Sequence, residues 1–230
     1  MSEIINVLDR GYVRLVDVMG SDLSVVNSAR VSYDKESSEL SDKDERLIRF
    51  LAREGHTSPF RHASLQFEVY APLMVARQWW KYVVGSDHTM DSWNESSRRY
   101  ITEEAAFYIP AANEWRSAPE NSKQGSGDVV SNFVGERATA ALMKHIESGE
   151  SLYAMALEKG IAAEQARLFL PAYGMYVRYY WTASLQSVAH FLNQRLAHDS
   201  QAEIQAYANA VYELVQPKFP VSIAELVKTK

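Results

Sequence analysis

The sequence predicts an α+β fold: a central, mostly antiparallel sheet with long helices packed on it, in one domain elaborated by a helical second half. Three observations carry this reading. "HASLQFEV" alternates Ala63, Leu65, Phe67 and Val69 with other residues, the period of a strand with one buried face. "DKDERLIRFLARE" puts Leu47, Ile48 and Leu51 on one face at helical spacing. No repeat or linker divides residues 1–230, so the chain reads as a single domain, with residues 116–128, "RSAPENSKQGSGD", a mobile loop by composition.

In chain order, "GYVRLVDVMGSD" is a strand that comes after a turn at Asp9, Arg10 and Gly11 and stops at Gly20. Ser21 caps a helix over "DLSVVNSARVSY", because its hydroxyl can take an otherwise unpaired first-turn N–H. "DKESSELS" is a polar loop, and Ser41 with Asp44 resembles a capping pair for the next helix. After the strand at "HASLQFEV", Pro72 suits the first turn of a helix through "LMVARQWWKY". Gly85 and Ser86 then break the helical pattern, so "GSDHTMD" is a loop, with Asp87 or Asp91 available to cap the segment that begins at Ser92. The second half is mostly helical, with breaks near Gly160 and at Pro171. Its exception is a strand at "YVRYYWTA"; "SVAHFLNQRLA" and "AEIQAYANAVYELVQ" are helices, the latter ending before Pro217.

Composition removes several classes of chemistry. The 230 residues are 47% hydrophobic, enough to bury a full core. The start, "MSEIINVLDRGYV", has no basic and apolar segments of a signal peptide, and no apolar run reaches membrane-spanning length, so the expectation is a soluble, cytoplasmic protein without a membrane partner. With no cysteine, there is no disulfide, thiolate metal site or thiol nucleophile. A formal charge of −5 argues against a nucleic-acid partner, since such affinity rests on many cation–phosphate contacts. It does not prevent locally converging arginines from holding a small anion.

Chemistry concentrates in "RQWWKYVVGSDHTMDSWNESSRRY". Ser92, Asn94, Glu95, Ser97, Arg98, Arg99 and Tyr100 supply hydroxyl, amide, carboxylate and guanidinium groups, a set suited to phosphate. The plainer alternative, a helix N-cap with a salt-bridged first turn, is favoured by local spacing alone. Arg167 in "EQARLFLP" and Arg195 in "HFLNQRLAHD" sit on otherwise apolar helix faces. Arginine is rarely buried unless paired, so either an ion pair, with Glu164 as the partner of Arg167, or a polar ligand explains them. The histidines form no metal site: His56 and His62 are separated by a proline, and His190 and His198 lie too far apart for a helical chelating pair. Neither a glycine-rich dinucleotide turn nor a G-x-S-x-G elbow is present.

With these motifs in order, nearly the whole chain resembles the flavin-dependent thymidylate synthases. "RGYVRLVDVMGSDLSVVNSARVSYD" is similar to their N-terminal strand and first helix, and "REGHTSPFRH" to the segment with the flavin-facing histidine. "SWNESSRRY" matches the S-x-N-E-x-S-x-R-Y end of the family signature, while "ARLFLP" and "HFLNQRL" resemble the two elements that each supply a substrate arginine. The resemblance implies reductive methylation of dUMP to dTMP, with methylenetetrahydrofolate and NADPH as co-substrates and FAD as hydride carrier. The other thymidylate synthase class needs a cysteine nucleophile, which this composition independently excludes.

Carried over residue by residue, Arg195 is the catalytic group. It would face the uracil and stabilise the negative charge that forms when hydride adds to C6. Gln78, Trp79, Trp80, Lys81, Glu95, Ser96, Ser97, Arg98, Arg99 and Arg167 complete the dUMP set. His56, Ser58, Lys81, His88, Glu95, Ser184, Gln186 and His190 form the FAD set, and no metal is implied. The family implies a homotetramer with sites shared between subunits. One departure stands out. The signature opens with Arg-His-Arg after the aromatic pair, whereas "KYVVGSDHTMD" occupies that place and is six residues longer. Lys81 and His88 are the candidates to replace the missing charge, under two different gap placements, and a Gly85-Ser86 turn could add backbone N–H donors.

Two other readings compete with the enzyme. A non-catalytic flavin- or nucleotide-binding relative would have lost turnover with its Arg-His-Arg, but Arg167, Arg195 and the distal motif remain. A single-stranded nucleic-acid module would use Trp79, Trp80 and Tyr82 as stacking platforms, and net acidity counts against it.

Overall fold

Five strands form one antiparallel sheet: β1 (Glu3–Val7), β2 (Gly11–Met19), β3 (Ser64–Pro72), β4 (Ser92–Glu95) and β5 (Tyr176–Ser184), in the spatial order β1-β2-β3-β5-β4. The computed structural model describes residues 3–84, 91–96, 104–120 and 125–228. The helices are α1 (Asp22–Arg30), α2 (Asp42–Arg53), α3 (Leu73–Val84), α4 (Asn132–Glu158), α5 (Ala163–Ala166), α6 (Leu185–Arg195), α7 (Ala202–Val215) and α8 (Pro220–Leu226). Among the described residues, none is long and apolar enough to cross a membrane.

The alternation in "HASLQFEV" works as expected, because Leu65, Phe67 and Val69 point inward and are fully enclosed. Paired beside them on β5, Val177, Tyr179, Trp181 and Ala183 form the next row of the same inner face. Trp79 of α3, Phe191 of α6 and Tyr207 of α7 close over these rows. Burying each such large apolar side chain contributes roughly 1.5–3 kcal/mol.

Local signals set the element ends. Ser21 precedes α1, and Ser41 precedes α2 with its backbone N–H donating to Asp44 Oδ2 at 2.9 Å. Asp22 does more than begin α1. Its buried carboxylate accepts from Val221 N at 2.9 Å and Ser222 N at 3.1 Å, thereby capping α8 from the other end of the chain. Gly11 is required by a close approach: a Cβ there would lie 1.8 Å from the Tyr207 hydroxyl, which donates to the Tyr70 carbonyl at 2.8 Å.

Three elements differ from the sequence reading. The sequence reading does not include β1 or α8: β1 is a short strand paired in a hairpin with β2 from Glu3↔Leu15 to Val7↔Gly11, and α8 is short and capped by Asp22 from the other end of the chain. "SWNE" is neither a helix cap nor a helical first turn. It is edge strand β4, paired with β5 from Ser92↔Thr182 to Glu95↔Tyr179, with Trp93 stacked on Tyr179 at 3.9 Å. Cross-strand aromatic packing outweighs the capping pattern here. The helix expected through Tyr82 continues to Val84, while residues 85–90 of the expected loop lie outside the described residues. The ends of the 116–128 loop are joined by a bridge between Arg116 and Val129.

Candidate active site

α3 leaves the end of β3 and α6 continues directly from β5. Because β3 and β5 are neighbours, the two helices lie side by side on the inner face of the sheet. This brings "RQWWKY" against "SVAHFLNQR". Arg195, in the last turn of α6, lies over the Tyr82 ring with Cζ 4.4 Å from the ring centroid, and its Nη2 donates to the Tyr82 hydroxyl. His190 flanks the same ring at 5.8 Å. Arg195 Nε is buried without a hydrogen-bond partner. Among the described residues no carboxylate forms an ion pair with Arg195. The guanidinium is half-buried, and its charge has no described carboxylate beside it to offset it.

A depression of about 550 Å³ opens beside it, lined by Gln78, Lys81, Tyr82, Gln194, Arg195 and Gln201. Gln78 donates to Gln201, Gln201 donates to Glu203 Oε2 at 2.8 Å, and Arg116 pairs with Glu203. This chain of polar contacts orients Gln78 from behind and was missed in the sequence, where only the position of Gln201 and Glu203 near the start of α7 hinted at it.

A second depression, of about 390 Å³, brings Glu95, Ser96 and Arg167 together against Leu168 and Leu170. Partial burial raises the Glu95 carboxyl above the usual range, opposed by a hydrogen bond from Trp93 and the charge of Arg77. Ser96 extends the β4–β5 pairing, with its N–H donating to the Arg178 carbonyl at 2.8 Å and its hydroxyl accepting from Arg178 N at 3.1 Å. Arg167 is exposed and donates through Nε to the Glu164 carbonyl at 3.2 Å. The expected burial of Arg167, and its ion pair with the Glu164 carboxylate, are therefore not what this chain forms. The short helix α5 ends at Ala166 and leaves Arg167 on a turn at the surface.

His56 and Ser58, both outside the buried core, line a third depression of about 550 Å³ with Ser28, Thr57 and His62. On α6, His190 is exposed, and Gln186 carries a buried Oε1 with no partner. Gln186, near the start of α6, and Arg195, in its last turn, thus each carry one buried polar atom that no described group satisfies.

Two predicted contacts need correction. Trp79 is fully enclosed, stacked on Phe191 at 4.3 Å and edge-on to Trp181 at 5.3 Å, so it belongs to the core and offers no surface to a nucleotide. Helical phase decides this: Trp80, one residue on, is 41% exposed and meets Trp93 edge-on. The stacking-platform reading falls with Trp79. Ser184 is buried and its hydroxyl caps α6, accepting from Ser187 N at 3.2 Å, so its predicted contact with FAD gives way to a structural role. His88, Ser97, Arg98 and Arg99 lie outside the described residues.

The family model described as thymidylate synthase complementing protein matches residues 14–221. A flavin-dependent thymidylate synthase of Thermus thermophilus is 41% identical over 96% of this chain and 77% of its own length. That of Thermotoga neapolitana is 38% identical over 97% of this chain and 94% of its own. The solved structure of a UMP/dUMP methylase, PolB from Streptomyces cacaoi, bound with 5-Br dUMP, superposes with a TM-score of 0.80 at 31% identity, covering 96% of both chains.

Proposed function

This chain belongs to the flavin-dependent thymidylate synthase family, and from that premise we propose that it methylates dUMP to dTMP reductively. Methylenetetrahydrofolate is the carbon donor, NADPH the electron source and FAD the hydride carrier. The observation that carries this reading is Arg195, a half-buried guanidinium beside Gln78 and Lys81 that no described carboxylate neutralises.

Arg195 donates to the carbonyl oxygens that flank N3 of uracil. As hydride adds to C6, negative charge spreads onto that edge, and a fixed cation in a partly desolvated site lowers the barrier. No residue acts as a nucleophile, in keeping with the absence of cysteine. Gln78, with Ser97, Arg98, Arg99 and Arg167, holds the sugar and phosphate, and Lys81 adds charge beside Arg195. His56, Ser58, Gln186 and His190 hold the flavin, which when bound supplies the hydride.

Arg167 and Arg195 line separate depressions of one chain. α4 and the turn after it leave several large apolar side chains exposed, among them Phe133, Met143, Leu152, Met155, Leu168 and Phe169, a concentration consistent with a protein interface. Both features support a homotetramer whose sites are completed between subunits.

The test is direct. Purified protein should be yellow, and with FAD, NADPH and methylenetetrahydrofolate it should convert dUMP to dTMP. UMP is offered alongside, because the solved relative PolB is a UMP/dUMP methylase. Bound flavin and bound dUMP without product would instead identify a non-catalytic relative.

A further inference from the structure

We propose that Tyr82 is the positioning residue for Arg195, and that it holds the guanidinium with a neutral ring and hydroxyl so that its charge stays available to the substrate. This rests on the proposed function, in which Arg195 faces the uracil.

A functional arginine must be held still, and the commonest holder is a carboxylate. A carboxylate would also cancel much of the field the arginine is there to supply. Tyr82 solves the two demands separately. Its π-face lies under the guanidinium, with Cζ 4.4 Å from the centroid, and its hydroxyl accepts from Nη2. Cation–π contact and one charge-assisted hydrogen bond fix both the plane and the rotation of the fork. Neither carries a formal negative charge. Tyr82 is itself fixed, by His190 at 5.8 Å and by the core residue Phe191, edge-on at 6.4 Å. The other charged or titratable groups facing this depression are Lys81 and Asp199. Asp199 does not pair with Arg195 among the described residues.

A cation that remains uncompensated has a signature apart from catalysis. It lowers the pH at which the N3–H of bound uracil ionises, and ultraviolet difference spectra of bound dUMP against pH track that ionisation. The variants are Tyr82→Phe, Tyr82→Leu and Tyr82→Glu, each checked for an unchanged melting temperature. In the unaltered protein the bound base should ionise at lower pH than free dUMP. Tyr82→Phe keeps the ring and should lower kcat roughly tenfold, the worth of one hydrogen bond to a charge, with dUMP affinity held within about twofold. Tyr82→Glu replaces the neutral holder with an anion. The bound base should then ionise as in free solution, and kcat should fall on the order of a hundredfold. If Tyr82→Glu does not fold, Tyr82→Leu decides: loss of both the spectral shift and kcat supports positioning, whereas a lowered melting temperature with the shift intact overturns it.

Retention of the shift in Tyr82→Glu likewise overturns the inference. No shift even in the unaltered protein has a different meaning, namely that Arg195 does not face the base and that the site reading itself fails.

Discussion

Asp91, the residue before β4, is the place where a single atom exchange should make this protein more stable. Its Oδ2 receives a long hydrogen bond, 3.4 Å, from the Trp181 indole, and burial outweighs the help this and Ser187 give the charged form. Burial pushes the carboxyl from the ordinary 3.8 up to about 6, with Ser187 and Trp181 opposing the rise. The folded protein therefore binds this proton more tightly than the unfolded chain does. The stabilisation is fully present below about pH 4 and is lost as pH rises through about 6. At neutral pH the ionised group is a burden. Two units correspond to about 3 kcal/mol, and partial solvent access cuts this to roughly 1–2 kcal/mol. Asp91→Asn keeps the shape and an acceptor for Trp181 while removing the charge. Urea unfolding should show the variant more stable by that amount at about pH 8 and indistinguishable at about pH 4. A variant that is less stable at the higher pH, or a gain of equal size at both, refutes the reasoning.

Substitutions at three further positions have expected outcomes. Arg195→Ala should lower dTMP formation by about 10²–10³-fold while fold and flavin content persist, and Arg195→Lys should rescue little because a point charge lacks the planar fork. Ser97→Ala should weaken dUMP binding by about 1–3 kcal/mol yet leave turnover at saturating dUMP, as expected of a phosphate contact. Complete loss there, with folding intact, would make Ser97 the nucleophile. Asp22→Ala strips the N–H donors of Val221 and Ser222 of a buried charged acceptor and should cost about 3 kcal/mol in urea unfolding.

How much of this was legible depends on whether the deciding interactions are local. Ser41 with Asp44, the break at Gly160 and the alternation of β3 act within a few residues, and each reads correctly from the sequence. β4 does not. "SWNESS" carries a capping pattern, and only Tyr179 and Trp181, more than eighty residues away, turn it into a strand. α8 depends on Asp22 in the same way. At the site, residue type was informative but orientation was not. Trp79 and Trp80 look equivalent in the sequence, and a step of one residue around α3 sends the first into the core and leaves the second exposed. Tyr82 shows the converse. Its meaning appears only when α6 places Arg195 over its ring.

The separation of Arg167 from Arg195 leads to a further prediction. Arg195 lines the depression between α3 and α6, Arg167 lines the one beside β4, and the two depressions have no lining residue in common. If both arginines touch the same dUMP, they come from different chains. Each active site then needs Arg195 from one subunit and Arg167 from another. Homomeric Arg195→Ala and Arg167→Ala proteins should both be impaired, because every site in either lacks one arginine. Subunits exchanged between the two variants behave differently: a chain with intact Arg195 meets a chain with intact Arg167 in about a quarter of sites when equal amounts mix at random, by the pairing logic of symmetric assemblies. Co-refolding the two should therefore restore activity towards about one quarter of the unaltered level. If the mixture stays as inactive as the separate variants, while subunit exchange is confirmed with tagged chains, both arginines serve the site from one chain. In that case a movement within the subunit, not assembly, brings them together.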